Sequence, residues 1–262
     1  MVMKMTDLYQ HFREEERGFI EKVLEWKEFA ETSYSPRLTD FLDPREQEIL
    51  RSVIGEQKEV RAAFHGGAEH AERKRALIYP DYMKPEAEDF SLSVFKVVYP
   101  SKFVTIEHRH VLGSLMSIGL KRAKYGDILI ENGGIQIVAA AEMDDFLRLQ
   151  LTEIGKTKVE LEQISLAEVY EKVEEWNEFS ATVSSLRLDA VLSAIYQLSR
   201  PKVLPLIQAG HVKVNWRIAE QGSMECREGD VLSVRGYGRS KISGINGRTK
   251  KDKLRLTYGR QK

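Results

Sequence analysis

The order in which hydrophobic periods succeed one another between residue 85 and about residue 165 constrains this chain more than any other feature. SLSVFKVV alternates at the two-residue period of a strand, HVLGSLMSIGLKRA repeats at the helical period, and DILIENGGIQIVAA holds two strands around the turn residues Asn132, Gly133 and Gly134. DDFLRLQLTEI returns to helical spacing and KVELEQI to a final strand. The order β-α-β-β-α-β predicts a ferredoxin-like sandwich over 81–168, with two helices on one sheet face and the other face available. An RNA-recognition domain shares this RRM-like order, but GDILIENGG lacks the aromatic signature that stacks bases.

Residues 1–80 read as a mainly helical domain. LYQHFREEERGFIEKVLEW sets Leu8, Phe12, Phe19, Ile20 and Val23 near helical spacing among charges. In DPREQEILRSVIG, Asp43 is placed to cap, Pro44 suits the first helical position, Glu46 completes the reciprocal cap and Gly55 ends the helix. EVRAAF predicts a strand and Gly66 with Gly67 a turn. Arg73, Lys74 and Arg75 form either an anion contact or an exposed charge run.

Charge separates the two ends although the net charge is zero. From Val183 to Lys262 there are about 16 Lys and Arg against about 6 Asp and Glu, leaving the preceding part acidic by a similar margin. Such asymmetry marks a polyanion-binding module joined to something else. At 262 residues and 42% hydrophobic content, two or three domains with real cores are expected. There is no apolar run long enough to span a membrane, and MVMKMTDLYQ has no signal-peptide centre, so a soluble, cytoplasmic protein without membrane partners is expected. The single cysteine, Cys226, forms no internal disulfide and reads as a semi-buried hydrophobe.

Catalytic patterns are missing from the sequence: there is no P-loop, no G-x-S-x-G elbow, no H-E-x-x-H and no G-x-G-x-x-G after a strand. His108 and His110 stand two apart without a third ligand at a convincing spacing, so no metal and no cofactor is expected. The helix beginning there offers either a capped terminus or a secondary phosphate contact through Arg109, with Lys121, Arg122 and Lys124 at its far end.

The basic end contains a compact unit, SSLRLDAVLSAIYQLSRPKVLPLIQAGHVKVNWRIAEQGSMECREGDVLSVRGYGR. Ser185 is placed to cap a helix whose Leu188, Val191, Leu192 and Ile195 share a face, with Asp189 in its first turn. Ser199 begins a second short helix that Gly210 ends, and strands follow at His211 to Asn215 and at Val231 to Arg235. The reading gathers Arg187, Arg200, Lys202, Lys213 and Arg217 on one cationic surface.

This unit resembles the S4 RNA-binding domain. The spaced elements are R-L-D at Arg187 to Asp189, S-R at Ser199 and Arg200, L-I-x-x-G-x-V-x-V-N at Leu206 to Asn215, and G-D-x-L at Gly229 to Leu232. The resemblance implies binding of structured RNA through its phosphates by the face of the two helices, with Ser199, Arg239 and Lys241 joining those five cations in the expected RNA-binding set. Two positions depart from the pattern. Pro205 inside the second helix predicts a kink or a late start, and Trp216, where a glycine is common, predicts a hairpin turn wider than two residues.

With HRHVLGSLMSIGLKRAKYGDI upstream of that unit, the whole chain resembles the bacterial YlmH family. The resemblance implies an α+β chain: a helical domain over 1–80, the ferredoxin-like domain over 81–168, a linker at 169–182, the S4 domain at 183–243 and a basic tail at 244–262. It also implies a non-catalytic factor whose partners are large-subunit ribosomal RNA and peptidyl-tRNA, acting in ribosome-associated quality control with possible protein partners. Two alternatives stay open: an RNA-modifying enzyme centred on His108, Arg109 and Asp127, and a cell-division-associated interaction protein.

Overall fold

The computed structural model describes residues 12, 14–55, 59–171, 176–249 and 252–261. Leu8, the chain start and parts of the expected linker and tail lie outside them. Two compact units divide the chain, Met1–Lys172 and Val173–Lys262. No helix among the described residues is long and apolar enough to cross a membrane.

In the first unit, helices α1 (Arg17–Ser33) and α2 (Pro44–Ile54) pack on a sheet of β1 (Arg37–Leu42), β2 (Val60–His65) and β3 (Lys74–Pro80), in the order β1-β3-β2. The start of α2 follows the sequence closely. Asp43 accepts the Glu46 N–H at 2.9 Å, the Asp43 N–H donates to the Glu46 carboxylate at 2.7 Å, and Gly55 closes the helix at a φ of 66°. Ile20, Val23, Ile49, Leu50 and Ile54 from the helices meet Val60, Ala76 and Ile78 from the sheet in one core. The helices hold more residues than the strands, but β1 and β3 add a sheet around the one expected strand. RLTDFL has charges at its start and in its middle and KRALIYP two at its start, which obscures their strand pattern in the sequence.

Next along the chain come β4 (Leu92–Val98), α3 (His108–Ser117), β5 (Tyr125–Glu131), β6 (Gly134–Ala140), α4 (Asp144–Gln150) and β9 (Glu160–Ile164). The small hairpin β7 (Glu153–Ile154) with β8 (Thr157–Lys158) lies between α4 and β9. The antiparallel sheet order β5-β6-β4-β9 is that of a ferredoxin-like sandwich. Asn132 and Gly133, at φ of 48° and 79°, make the two-residue turn between β5 and β6. Ile135, Ile137 and Ala139 face the helices with Phe95, Val111, Leu115 and Leu147.

The second face of this sheet is not available, contrary to the sequence expectation. Val94, Leu129, Val138 and Ala140 are covered by Phe41 from β1 and by Leu166, Val169 and Tyr170 from the segment after β9. Gln136 fastens that segment: its side-chain amide donates to the Glu168 carbonyl at 2.9 Å, and its carbonyl oxygen accepts the Tyr170 N–H at 2.8 Å. Gly126 leaves room for the Phe41 ring, whose Cε1 would lie 2.7 Å from any Cβ added there. The β-α-β-β-α-β pattern specifies the sheet. It says nothing about a neighbour that buries it.

The second unit is built on one six-stranded antiparallel sheet. Its members are β10 (Trp176–Val183), β11 (Val212–Val214), β12 (Arg217–Ile218), β13 (Val231–Val234), β14 (Gly238–Arg248) and β15 (Leu254–Gln261), ordered β10-β15-β14-β13-β11-β12. Helices α5 (Leu188–Tyr196) and α6 (Arg200–Gln208) cover one face, where Leu188, Val191, Leu192, Ile195, Val203 and Ile207 meet Val212, Val214, Leu232, Val234, Ile242 and Leu256. Strands thus occupy much of what the sequence assigned to a linker and a tail: β10 pairs with β15 along its whole length. The charge-rich composition of 244–262 hides the alternation of Leu254, Leu256 and Tyr258 with polar residues.

Candidate nucleic-acid interface

The start of α5 differs from its expected form. The helix begins at Leu188 with Arg187 at the cap position, and Ser185 does not cap it. The Leu188 and Asp189 N–H groups donate instead to the carbonyls of Met224 and Gly222, at 2.8 and 3.0 Å. A loop distant in sequence therefore does the work assigned to a serine nearby.

That arrangement aims Arg187. Asp189 is buried, its side chain only 7% exposed, and it accepts two hydrogen bonds from the Arg187 guanidinium at 2.9 and 3.2 Å. Those bonds hold the Asp189 carboxyl below the usual carboxylate range although burial opposes this, and the nearby Arg200 charge acts in the same direction. Arg187 keeps about half of its side chain exposed, 49%, so its remaining donors face solvent. Arg200, at the first position of α6, donates to the Ser184 hydroxyl at 3.2 Å. Ser199 occupies the cap position of α6 but caps through its backbone carbonyl, which accepts the Lys202 N–H at 2.8 Å, and not through its side chain. Pro205 leaves α6 a single element from Arg200 to Gln208, and Lys202 is exposed on it.

The other half of the motif also has a visible purpose. Asn215 and Trp216 both adopt positive φ, 49° and 64°, and Val214 pairs with Arg217, so the hairpin turn has two residues and is not widened. The Asn215 amide donates to Asp230 at 2.8 Å and its oxygen accepts the Val231 N–H at 2.9 Å. The V-x-V-N and G-D elements, well separated in sequence, are two ends of one clasp.

Register corrects the expectation of a single cationic surface. Val212, Val214, Leu232 and Val234 point at the helices, so Lys213 and its cross-strand partner Ser233 point away from them. Arg239 pairs with Ser233 and Lys241 with Val231, which puts both on that outer face too. Arg217 pairs with buried Val214 and stays on the helix side. The sheet therefore separates Arg187, Ser199, Arg200, Lys202 and Arg217 from Lys213, Arg239 and Lys241. Asp189, which aims Arg187, and Asn215 and Asp230, which close the clasp, were visible in the motif but their pairing was not.

The secondary set over the central domain is largely committed elsewhere. The Lys124 ammonium binds Asp40 at 2.7 Å and Glu142 at 3.1 Å, and the Arg122 guanidinium donates to the Tyr125 and Gly126 carbonyls at 2.7 and 3.1 Å while lying over the Tyr125 ring. Arg109 is exposed and paired with Glu107 at 2.9 Å, and Lys121 is exposed. His110 accepts the Glu107 N–H through Nδ1 at 3.2 Å, a capping role at the start of α3. Asp127 is buried and accepts the Glu72 and Arg73 N–H groups at 2.8 and 3.1 Å, joining the first two domains. Arg73 and Arg75 are neither an anion contact nor an exposed run. Arg73 donates to the Phe41 carbonyl at 2.8 Å, and buried Arg75 donates to the Thr39 and Ser91 carbonyls at 2.8 and 3.0 Å. Among the described residues, no group of three or more His, Cys, Asp or Glu side chains is arranged to hold a metal.

Comparison with known proteins matches these three domains in turn. Residues 15–83 match the family profile described as the N-terminal part of YlmH, residues 85–168 that of a candidate RNA-binding domain in YlmH, and residues 186–232 that of the S4 domain. The ribosome-associated protein quality control protein P2 of Bacillus subtilis (strain 168) is 49% identical over 258 residues, covering 98% of this chain and 100% of the relative. The solved structure of the cell division protein ylmH from Streptococcus pneumoniae aligns with a TM-score of 0.54 at 31% identity, covering 62% of this chain and 99% of that one.

Proposed function

The chain belongs to the YlmH family, and from that premise we propose that it is a non-catalytic RNA-binding factor of ribosome-associated quality control, working in the cytoplasm on the large ribosomal subunit that carries peptidyl-tRNA. One observation carries the reading: Arg187 is held by the buried Asp189 with donors left facing solvent, beside Arg200 at the start of the next helix. A planar guanidinium fixed on one side is suited to a phosphate on the other, and because its rotamer is already chosen little entropy is lost on binding. The name of the Bacillus subtilis relative supports the ribosomal setting.

A factor of this kind acts by occupancy. Binding should weaken steeply with salt as phosphate counterions are released, with the slope falling by about one per contact removed. The enzymatic alternative, centred on His108, Arg109 and Asp127, loses ground because Arg109 is paired with Glu107 and Asp127 joins two domains, which leaves both with a structural task. Arg187→Ala with Arg200→Ala should reduce co-sedimentation with large subunits by roughly ten- to a hundredfold, on the order of 1–3 kcal/mol, with circular dichroism unchanged. Undiminished sedimentation of that double variant would refute the assignment.

A further inference from the structure

We infer that the outer face of the C-terminal sheet is a second RNA-binding surface, and that it takes an unpaired stretch of RNA. Lys213, Ser233 and Arg239 form one cross-strand row over β11, β13 and β14, with Lys241 next to it on β14. Arg255 follows on the same face of β15, opposite Thr182. Against these four cations the same face carries one carboxylate in its strands, Glu178, on the far strand opposite Gly259. The sheet and its helices separate this face from Arg187 and Arg200, so one straight duplex cannot touch both.

Trp216 indicates why the ligand is unpaired. Its ring lies 5.9 Å from the Arg239 guanidinium, beside the cationic row, and is partly exposed. Its backbone is in the left-handed region at a φ of 64°, where a bulky side chain is disfavoured and glycine is at ease. The Asn215 clasp to Asp230 and Val231 holds the turn in place. An indole held by a left-handed backbone next to an arginine, beside a face that carries lysines, is the combination on which an unstacked base settles while its phosphates meet the cations. A continuous duplex keeps its bases stacked on one another and offers such a ring nothing.

The proposal extends the RNA-binding reading but does not depend on the helix-side arginines, and its test separates the two. The full-length chain is titrated with fluorescein-labelled dodecameric oligouridylate and, separately, with a labelled hairpin RNA closed by a short loop. Lys213→Gln, Arg239→Gln and Lys241→Gln together should weaken oligouridylate binding by roughly tenfold or more and leave hairpin binding unchanged; Trp216→Gly should weaken oligouridylate binding by roughly fivefold or more. Lys213→Gln with Lys241→Gln, which leaves Trp216 and Arg239 in place, guards against misfolding and should show an intermediate loss. Oligouridylate should still bind a chain saturated with hairpin. Equal oligouridylate affinity in the triple variant and the parent, or displacement of oligouridylate by saturating hairpin, would overturn the second surface. If Arg187→Ala with Arg200→Ala keeps hairpin affinity while the triple variant still loses oligouridylate, the helix-side reading fails and the outer face stands.

Discussion

At the scale of single residues, the Arg187 and Asp189 pair makes a prediction that charge counting would get backwards. Removing a carboxylate from beside a basic surface should favour RNA, yet Asp189 fixes the guanidinium that we propose as its phosphate contact. Asp189→Asn is therefore expected to weaken RNA binding by roughly three- to tenfold, measured by anisotropy with a hairpin RNA. The same pair carries an acid limb. Because the folded Asp189 carboxyl is held below its unfolded value, the stability it contributes is present above the unfolded value and is lost as pH falls through the lowered one. Thermal melts of Asp189→Asn should lack that part of the acid dependence. Cys226 is the opposite case, fully buried with its thiol pushed up to about 12 by burial first and by Asp230 and Glu225 after it. It should resist an aromatic disulfide reagent at pH 8 for as long as the domain is folded, and react at once in denaturant. Rapid labelling of the native chain would contradict the packing.

Elements show which local signals could be trusted. The α2 start was legible because Asp43, Pro44 and Glu46 satisfy one another within a single turn, so no distant residue is needed. The α5 start was not, because its free N–H groups are met by the Met224 and Gly222 carbonyls, which only the folded loop brings near. The same limit applies to Phe41, an apolar residue near the end of a charged strand that turns out to cover the neighbouring domain's sheet. Phe41→Ala should cost about 3–5 kcal/mol, as truncation of a fully buried aromatic does. Because the ring lies between two domains, the loss should appear as decoupled melting of the N-terminal and central domains in calorimetry. A single transition at the parental temperature would refute that role.

Over the whole molecule, the pairing of β10 with β15 sets the limits of the C-terminal unit. Val183, near its start, and Leu256 and Tyr258, near its end, are all buried. A fragment of residues 173–262 is expected to melt cooperatively and retain hairpin binding. A fragment ending at residue 243 loses β15 and the second half of β14, leaves β10 without its partner and exposes the edge of what remains of β14, so it should aggregate or melt without cooperativity. Stable, soluble behaviour of the shorter fragment would show that the outer strands are dispensable.

The sequence by itself determined whatever is local or carried by a spaced motif: the ferredoxin-like order, the α2 cap, the Asn132 and Gly133 turn, the S4 elements and the basic C-terminal end. Each depends on periodicity or on residues a few positions apart, where chain connectivity already does most of the ordering. Only the tertiary structure decided that Phe41 and Tyr170 close the second face of the central sheet, that Arg73, Arg75 and Lys124 are engaged by carbonyls and carboxylates of distant segments, and that the cations of the C-terminal unit fall on two sides of its sheet. A charged side chain has the same letter whether it meets water, a carbonyl or a partner carboxylate. Which of these it meets is set by contacts between segments far apart in the chain, and those exist only once the chain is packed.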